Sequence, residues 1–142
     1  MSDQLIFTYE IDGEDFTRAG EASSSVKNKL KMLGVDSEAI RKVAIAMYEG
    51  EINMVIHADG GQAEVEVDTD QIIIRMQDTG PGIPDVAQAM QEGFSTAGQT
   101  ARELGFGAGM GLPNIKRYSD EMSIETELGK GTTVTVRIKI PQ

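Results

Sequence analysis

The hydrophobic positions of this 142-residue chain change period several times, and each change marks an element. Leu5 to Ile11 is rich in β-formers and largely alternates, which predicts a strand, with a turn at Asp12-Gly13. Asp15 to Leu33 reads as a helix closed by Gly34 as its C-cap residue. Asp36-Ser37 caps a second helix that runs to about Ala58, where Asp59-Gly60-Gly61 ends it. Gln62–Asp68 and Gln71–Gln77 are two strands joined near Thr69-Asp70. A glycine-rich stretch from Asp78 to Gly111 follows, interrupted by a short helical piece around Val86 to Gln91. Leu112 to Ser119 reads as helix, and Met122–Glu127 and Thr132–Ile140 alternate as a hairpin around Gly129-Lys130-Gly131. Strands joined by tight turns pair antiparallel. The order therefore predicts an α+β two-layer sandwich, a mostly antiparallel mixed sheet covered on one face by helices. No linker or repeat interrupts it, so residues 1–142 are expected to form a single domain.

Composition narrows the function. Hydrophobic residues make up 39% and charged residues 25%, the balance of an ordinary folded domain. Thirteen Lys and Arg against 23 Asp and Glu give a formal charge of −10. That argues against nucleic acid and anionic membranes as partners, because phosphate contacts supply most of that affinity. A bound nucleotide has to be held locally, by metal, backbone N–H groups and helix ends. The absence of cysteine excludes disulfides, thiolate metal sites and a cysteine nucleophile, and a lone His57 argues against a zinc site. No apolar run approaches the roughly 20 residues of a membrane span. The start, Met-Ser-Asp-Gln, lacks a basic region and an apolar segment, so a cytoplasmic location is expected.

Candidate chemistry begins on the second helix. At helical spacing Ile40, Val43, Met47, Met54 and Ala58 form one stripe, the expected core face. Lys42, Glu49, Asn53 and His57 form another, with Ile45, Ala46, Ile52 and Ile56 within or beside it, so it is not expected to face open water. A carboxylate and a carboxamide one turn apart among isoleucines need a partner or a function. Glu49 is placed to act as a general base or to orient water. Asn53 offers a hard carbonyl oxygen suited to Mg²⁺. Glu51 projects from a different side and is not expected to share the site. The plain alternative is a solvated face with a hydrogen-bonded pair.

Asp78-Thr79-Gly80-Pro81-Gly82-Ile83 follows a strand directly. Its carboxylate can accept two hydrogen bonds, for example from an exocyclic amine and a bridging water, and its glycines permit close approach to a flat ligand. An Asp-initiated turn explains the same residues. Gly105-Phe106-Gly107-Ala108-Gly109-Met110-Gly111-Leu112-Pro113-Asn114 runs four alternating glycines into a helix, an arrangement that suits phosphate. The competing reading is a flexible surface loop. Gly129-Lys130-Gly131-Thr132 alone is a hairpin turn.

Taken together, E-x-x-x-N at Glu49 and Asn53, D-x-G-x-G at Asp78 to Gly82, G-x-G-x-G at Gly107 to Gly111 and G-x-G-T at Gly129 to Thr132 resemble the signature boxes of the GHKL ATPase superfamily, with its Bergerat ATP-binding fold. The match spans nearly the whole chain. The resemblance implies that Asp78 binds the adenine amino group, with Thr132 assisting through water. Asn53 would ligate Mg²⁺ on the phosphates, and Glu49 would be the catalytic base. By the same resemblance Gly80 and Gly82 shape the base pocket, and Ile83 and His57 are further nucleotide-binding candidates, although His57 taken alone reads as a packing or capping residue. Gly107, Gly109 and Gly111 would line the phosphates as part of a lid at about residues 92–111, with Gly105, Ala108, Met110 and Leu112 as further nucleotide-binding candidates.

The short length resembles the stand-alone bacterial serine kinases, the anti-sigma-factor kinases and the related switch kinases. Asp85 to Thr96 and Gly111 to Arg117 are most similar to the switch-kinase branch. Such a kinase transfers the γ-phosphoryl of ATP to a serine on a small STAS-domain antagonist protein, in a partner switch that also involves a sigma factor. Arg102 and Lys116 are the nearest positive charges to the expected phosphate site. Two features depart from the pattern: a long segment between Phe94 and Gly105, and a glycine, Gly50, in the middle of the helix that bears Glu49. Gly50 is expected to mark the close approach of another element. The rival function is a nucleotide-dependent binding module without phosphoryl transfer, and a third is a histidine-kinase catalytic domain acting in trans. Glu49 favours the kinase, since a pure sensor needs no base. A homodimer is compatible with the resemblance.

Overall fold

The computed structural model describes residues 5–12, 20–57, 60–78 and 111–141. In chain order these form β1 (Leu5–Asp12), α1 (Glu21–Met32), α2 (Ser37–His57), β2 (Gly60–Val67), β3 (Gln71–Asp78), α3 (Gly111–Arg117), β4 (Glu121–Glu127) and β5 (Gly131–Lys139). The sheet order is β1-β2-β3-β5-β4. Every described pairing is antiparallel, so the mixed character expected of the sheet is not present among these strands. The physical reason lies in the connections. Among the described residues two helices, α1 and α2, lie between β1 and β2, and a pair of helices returns the chain antiparallel where a single crossover helix would return it parallel. The α+β two-layer architecture is as the periodicity predicts.

Period-two alternation places Ala63, Val65 and Val67, Ile72, Ile74 and Met76, and Val134, Val136 and Ile138 on the helix-covered face, none more than 9% exposed. Against them pack Ala22, Val26 and Leu30 of α1 and Ile40, Val43, Met47 and Met54 of α2. The expected core stripe of α2 is thus observed, except that Ala58 lies outside the described residues. The opposite sheet face is polar: Arg75 lies 3.2 Å from Glu64 and 3.1 Å from Glu66, and Arg137 reaches Glu121 and Gln71.

Local chemistry sets the boundaries. Gly34, at φ 74°, ends α1 in a Schellman motif, with Val35 N–H donating to the Leu30 carbonyl and Gly34 N–H to that of Lys31. Asp36 caps α2 by accepting the N–H groups of Glu38 and Ala39, both at 3.1 Å. The expected start of α1 at Asp15 needs correction. The helix begins at Glu21, after Gly20 at φ 100°, and residues 15–19 lie outside the described residues. Gly60 and Gly61 also belong to β2 and not to the turn that ends α2, with Gly61 paired to Asp78. A Cβ on Gly61 would sit 2.2 Å from the Gln77 carbonyl oxygen, so the strands pair there only around a glycine. Gly50 does mark a close approach. A Cβ there would fall 2.1 Å from Met76 Sδ, so α2 lies down on β3 at the residue next to Glu49.

Candidate functional site

The site is built around α2, which is flanked by α1 and α3 and lies over the sheet. Glu49 and Asn53 are half-buried one turn apart on the same helix face. Ala46 and Ile52 beside them are buried, so this stripe does not face open water. The Asn114 side chain, from α3, donates a hydrogen bond to the Glu49 carboxyl. Burial pushes that carboxyl above the usual glutamate range, and the Asn114 hydrogen bond pulls partly the other way by favouring the charged form. A carboxyl tuned upward in this direction suits a proton acceptor working near neutral pH.

The second half of the site lies where β3 ends. The β3–β5 register pairs Gln77 with Thr133, which leaves Asp78 beside Thr132. Thr132 N–H donates to Asp78 Oδ1 at 3.1 Å, across 54 residues of sequence. Thr132 is 8% exposed. Its Oγ1 lies 2.9 Å from Thr126 Oγ1 on β4, and Thr126 Oγ1 donates to the Gly131 carbonyl at 3.3 Å. The hairpin reading of Gly129-Lys130-Gly131 holds alongside, with Gly129 at φ 81° and Lys130 N–H bonded to the Glu127 carbonyl.

The structure therefore brings Asp78 to Thr132 and keeps Glu49 with Asn53. Gly111 opens α3, Leu112 packs on the core, and Lys116 is exposed. His57 is the last residue of α2. Gly80, Gly82, Ile83, Gly105, Gly107, Ala108, Gly109 and Met110, with Arg102, the helical piece at 86–91 and most of the expected lid, lie outside the described residues. Three residues acquire roles that the sequence reading did not assign. Glu51, 3% exposed, accepts N–H groups from Gly20 at 2.8 Å, Ala22 at 3.2 Å and Ser23 at 3.1 Å, and so caps α1 from the neighbouring helix. Asn114 orients Glu49, and Thr126 contacts Thr132. Only Thr126 had a signal, since it stands opposite Thr132 across the predicted hairpin.

Residues 37–142, from the first residue of α2 onward, match the family described as histidine kinase-, DNA gyrase B- and HSP90-like ATPases, and the chain belongs to that family. Its relatives include a serine/threonine-protein kinase and anti-sigma factors. It is 35% identical over 112 residues to the serine/threonine-protein kinase RsbT of Bacillus subtilis, covering 76% of this chain and 78% of RsbT. It is 30% identical over 139 residues to the anti-sigma F factor of Geobacillus stearothermophilus, covering 94% of this chain and 88% of that protein. Among solved structures, a crystal structure of the RsbU and RsbW domains of a Mycobacterium tuberculosis protein superposes with a TM-score of 0.64 at 16% identity. That match covers 96% of this chain and 33% of the longer one, and it establishes the shared fold. Among the described residues, no helix is long and apolar enough to cross a membrane.

Proposed function

We propose that the chain is a cytoplasmic, Mg-ATP-dependent protein serine kinase that phosphorylates a STAS-domain antagonist in a sigma-factor partner switch. The observation that carries this reading is Glu49: a half-buried carboxyl raised by burial, oriented by Asn114, and one turn from Asn53. A domain that only sensed nucleotide would have no use for a base maintained against that desolvation. The kinase RsbT and the anti-sigma F factors among the relatives support the same class.

In this reading residues 1–142 act as one unit with a lid at about residues 92–111. Asp78 accepts a hydrogen bond from the exocyclic amine of adenine, and Thr132 assists through water. Gly80, Gly82 and Ile83 form the wall of the base pocket, with His57 beside it. The segment Gly105 to Leu112 cradles the phosphates. Glu49 takes the proton of the attacking serine as its Oγ bonds to the γ-phosphorus and the bond to the ADP oxygen breaks. Among the described residues no group of three or more His, Asp or Glu side chains is placed to hold a metal. Mg²⁺ keeps several waters and phosphate oxygens and takes few ligands from the protein. Asn53 would contribute its carbonyl oxygen, and the bound ion supplies charge neutralisation at the phosphates.

The test is calorimetric titration of ATP with and without Mg²⁺ on the parent chain, Asp78→Asn and Asn53→Ala, followed by transfer of labelled phosphate to a STAS-domain protein. ATP binding should vanish in Asp78→Asn, and only its Mg²⁺-dependent part in Asn53→Ala. A parent chain that binds no adenine nucleotide sinks the reading. The anti-sigma relatives support a second reading, a nucleotide-dependent binding module without transfer. Tight Mg-ATP binding with no labelled product on any STAS partner would select it.

A further inference from the structure

We infer that Thr126 fixes the polarity of the Thr132 hydroxyl and thereby selects purines that donate at position 6 over those that accept there. The inference rests on the nucleotide reading of the Asp78–Thr132 corner and adds a specificity determinant on a different strand.

A hydroxyl has one hydrogen to give. Thr126 Oγ1 lies 3.3 Å from the Gly131 carbonyl oxygen, which can only accept, so in that bond Thr126 is the donor. At 2.9 Å from Thr132 Oγ1 either hydroxyl could donate when the pair is taken alone. Both bonds exist together in one arrangement only: Thr132 donates to Thr126, and Thr126 donates to Gly131. The β4–β5 register, which sets Thr126 opposite Thr132, holds the two hydroxyls in line.

The consequence falls on the neighbouring carboxylate. The Thr132 hydrogen is spent on Thr126, and its backbone N–H is already donated to Asp78. To any further group, the Thr132 hydroxyl and the Asp78 carboxylate offer lone pairs alone. A 6-amino purine, or a water that donates, satisfies such a corner. A 6-oxo purine brings another acceptor to face them, and a polar group left unpaired there is penalised. Thr126 itself sits on the edge strand, so removing its hydroxyl alters this polarity and leaves the residues around the base in place. Without it, the Thr132 hydrogen is free to turn toward a 6-oxo group.

The experiment compares dissociation constants for Mg-ATP and Mg-ITP, which differ only at ring positions 1 and 6. It uses the full chain and its Thr126→Val, Thr126→Ala and Thr126→Ser variants, with thermal unfolding as the check on folding. The parent should prefer ATP. The valine and alanine variants should narrow that preference about tenfold, chiefly by tighter ITP binding. Serine keeps the hydroxyl and should keep the preference. An unchanged ratio in valine and alanine, a lost ratio in serine, or equal weakening of both nucleotides overturns the inference, the last by marking Thr126 as merely structural. A parent that binds neither nucleotide overturns the pocket reading itself, whereas one that binds ATP with an unmoved variant ratio overturns the relay alone.

Discussion

Glu49 is kept in surroundings that oppose its charge, while the base that we propose it to be must carry that charge to work. Its raised value means that the folded chain holds the proton more tightly than the unfolded chain. Stability from this group is therefore full below the ordinary glutamate range and is lost as pH rises through the raised value. Glu49→Gln should melt at a higher temperature than the parent at neutral pH, with the gain fading on acidification. The same variant should lose about a hundred- to ten-thousandfold in phosphoryl transfer and keep nucleotide binding. Asn114→Ala removes the hydrogen bond that favours the carboxylate. The acidic limb of its pH–rate profile should lie at higher pH than the parent's, and a limb that stays in place would separate Asn114 from the base.

At the scale of elements, α1 has an N-terminus whose cap lies on another helix. Glu51→Ala strands N–H groups of Gly20, Ala22 and Ser23 and should cost about 3 kcal/mol in denaturant unfolding. Amide exchange at Ala22 and Ser23 should rise more than in α2. Two glycines make a matched test of close approach. Gly50→Ala meets the far end of the flexible Met76 side chain and gains helix propensity, so its net effect should stay within about 1 kcal/mol. Gly61→Ala meets the rigid Gln77 carbonyl and should cost about 3 kcal/mol. Equal melting temperatures for the two variants would contradict this packing. The same elements show what a sequence can reveal. Asp36, Gly34 and the α2 stripe act within a turn or two, so their pattern announced them. Glu51 acts 28 to 31 residues away, and no local period records which carboxylate a distant helix end will find.

For the whole molecule, strand alternation and hairpin turns were enough to predict a helix-covered antiparallel sheet, because each needs only neighbouring residues. Strand order is a different matter. The place of β5 between β3 and β4 depends on pairing Gln71 with Lys139, which no short-range signal specifies. The boxes around Glu49, Asn53, Asp78 and Thr132 were legible because their spacing is tied to strand ends and helix turns. Asn114 was not, because its role exists only once α3 has docked on α2.

That interior position of β5 governs how the protein is made. The strand that joins β3 to β4 comes after every other described element, so a ribosome releases it last of them. Until residue 139 emerges, the Ile72-Ile73-Ile74 run of β3 has one bare flank, a ready template for unwanted strand pairing. Nascent chains stalled near Leu128 should bind holding chaperones or precipitate, and chains extended past Lys139 should be released soluble. Completion of this sheet is thus a late event in synthesis, and premature termination costs the cell an aggregating fragment in place of a partly working enzyme.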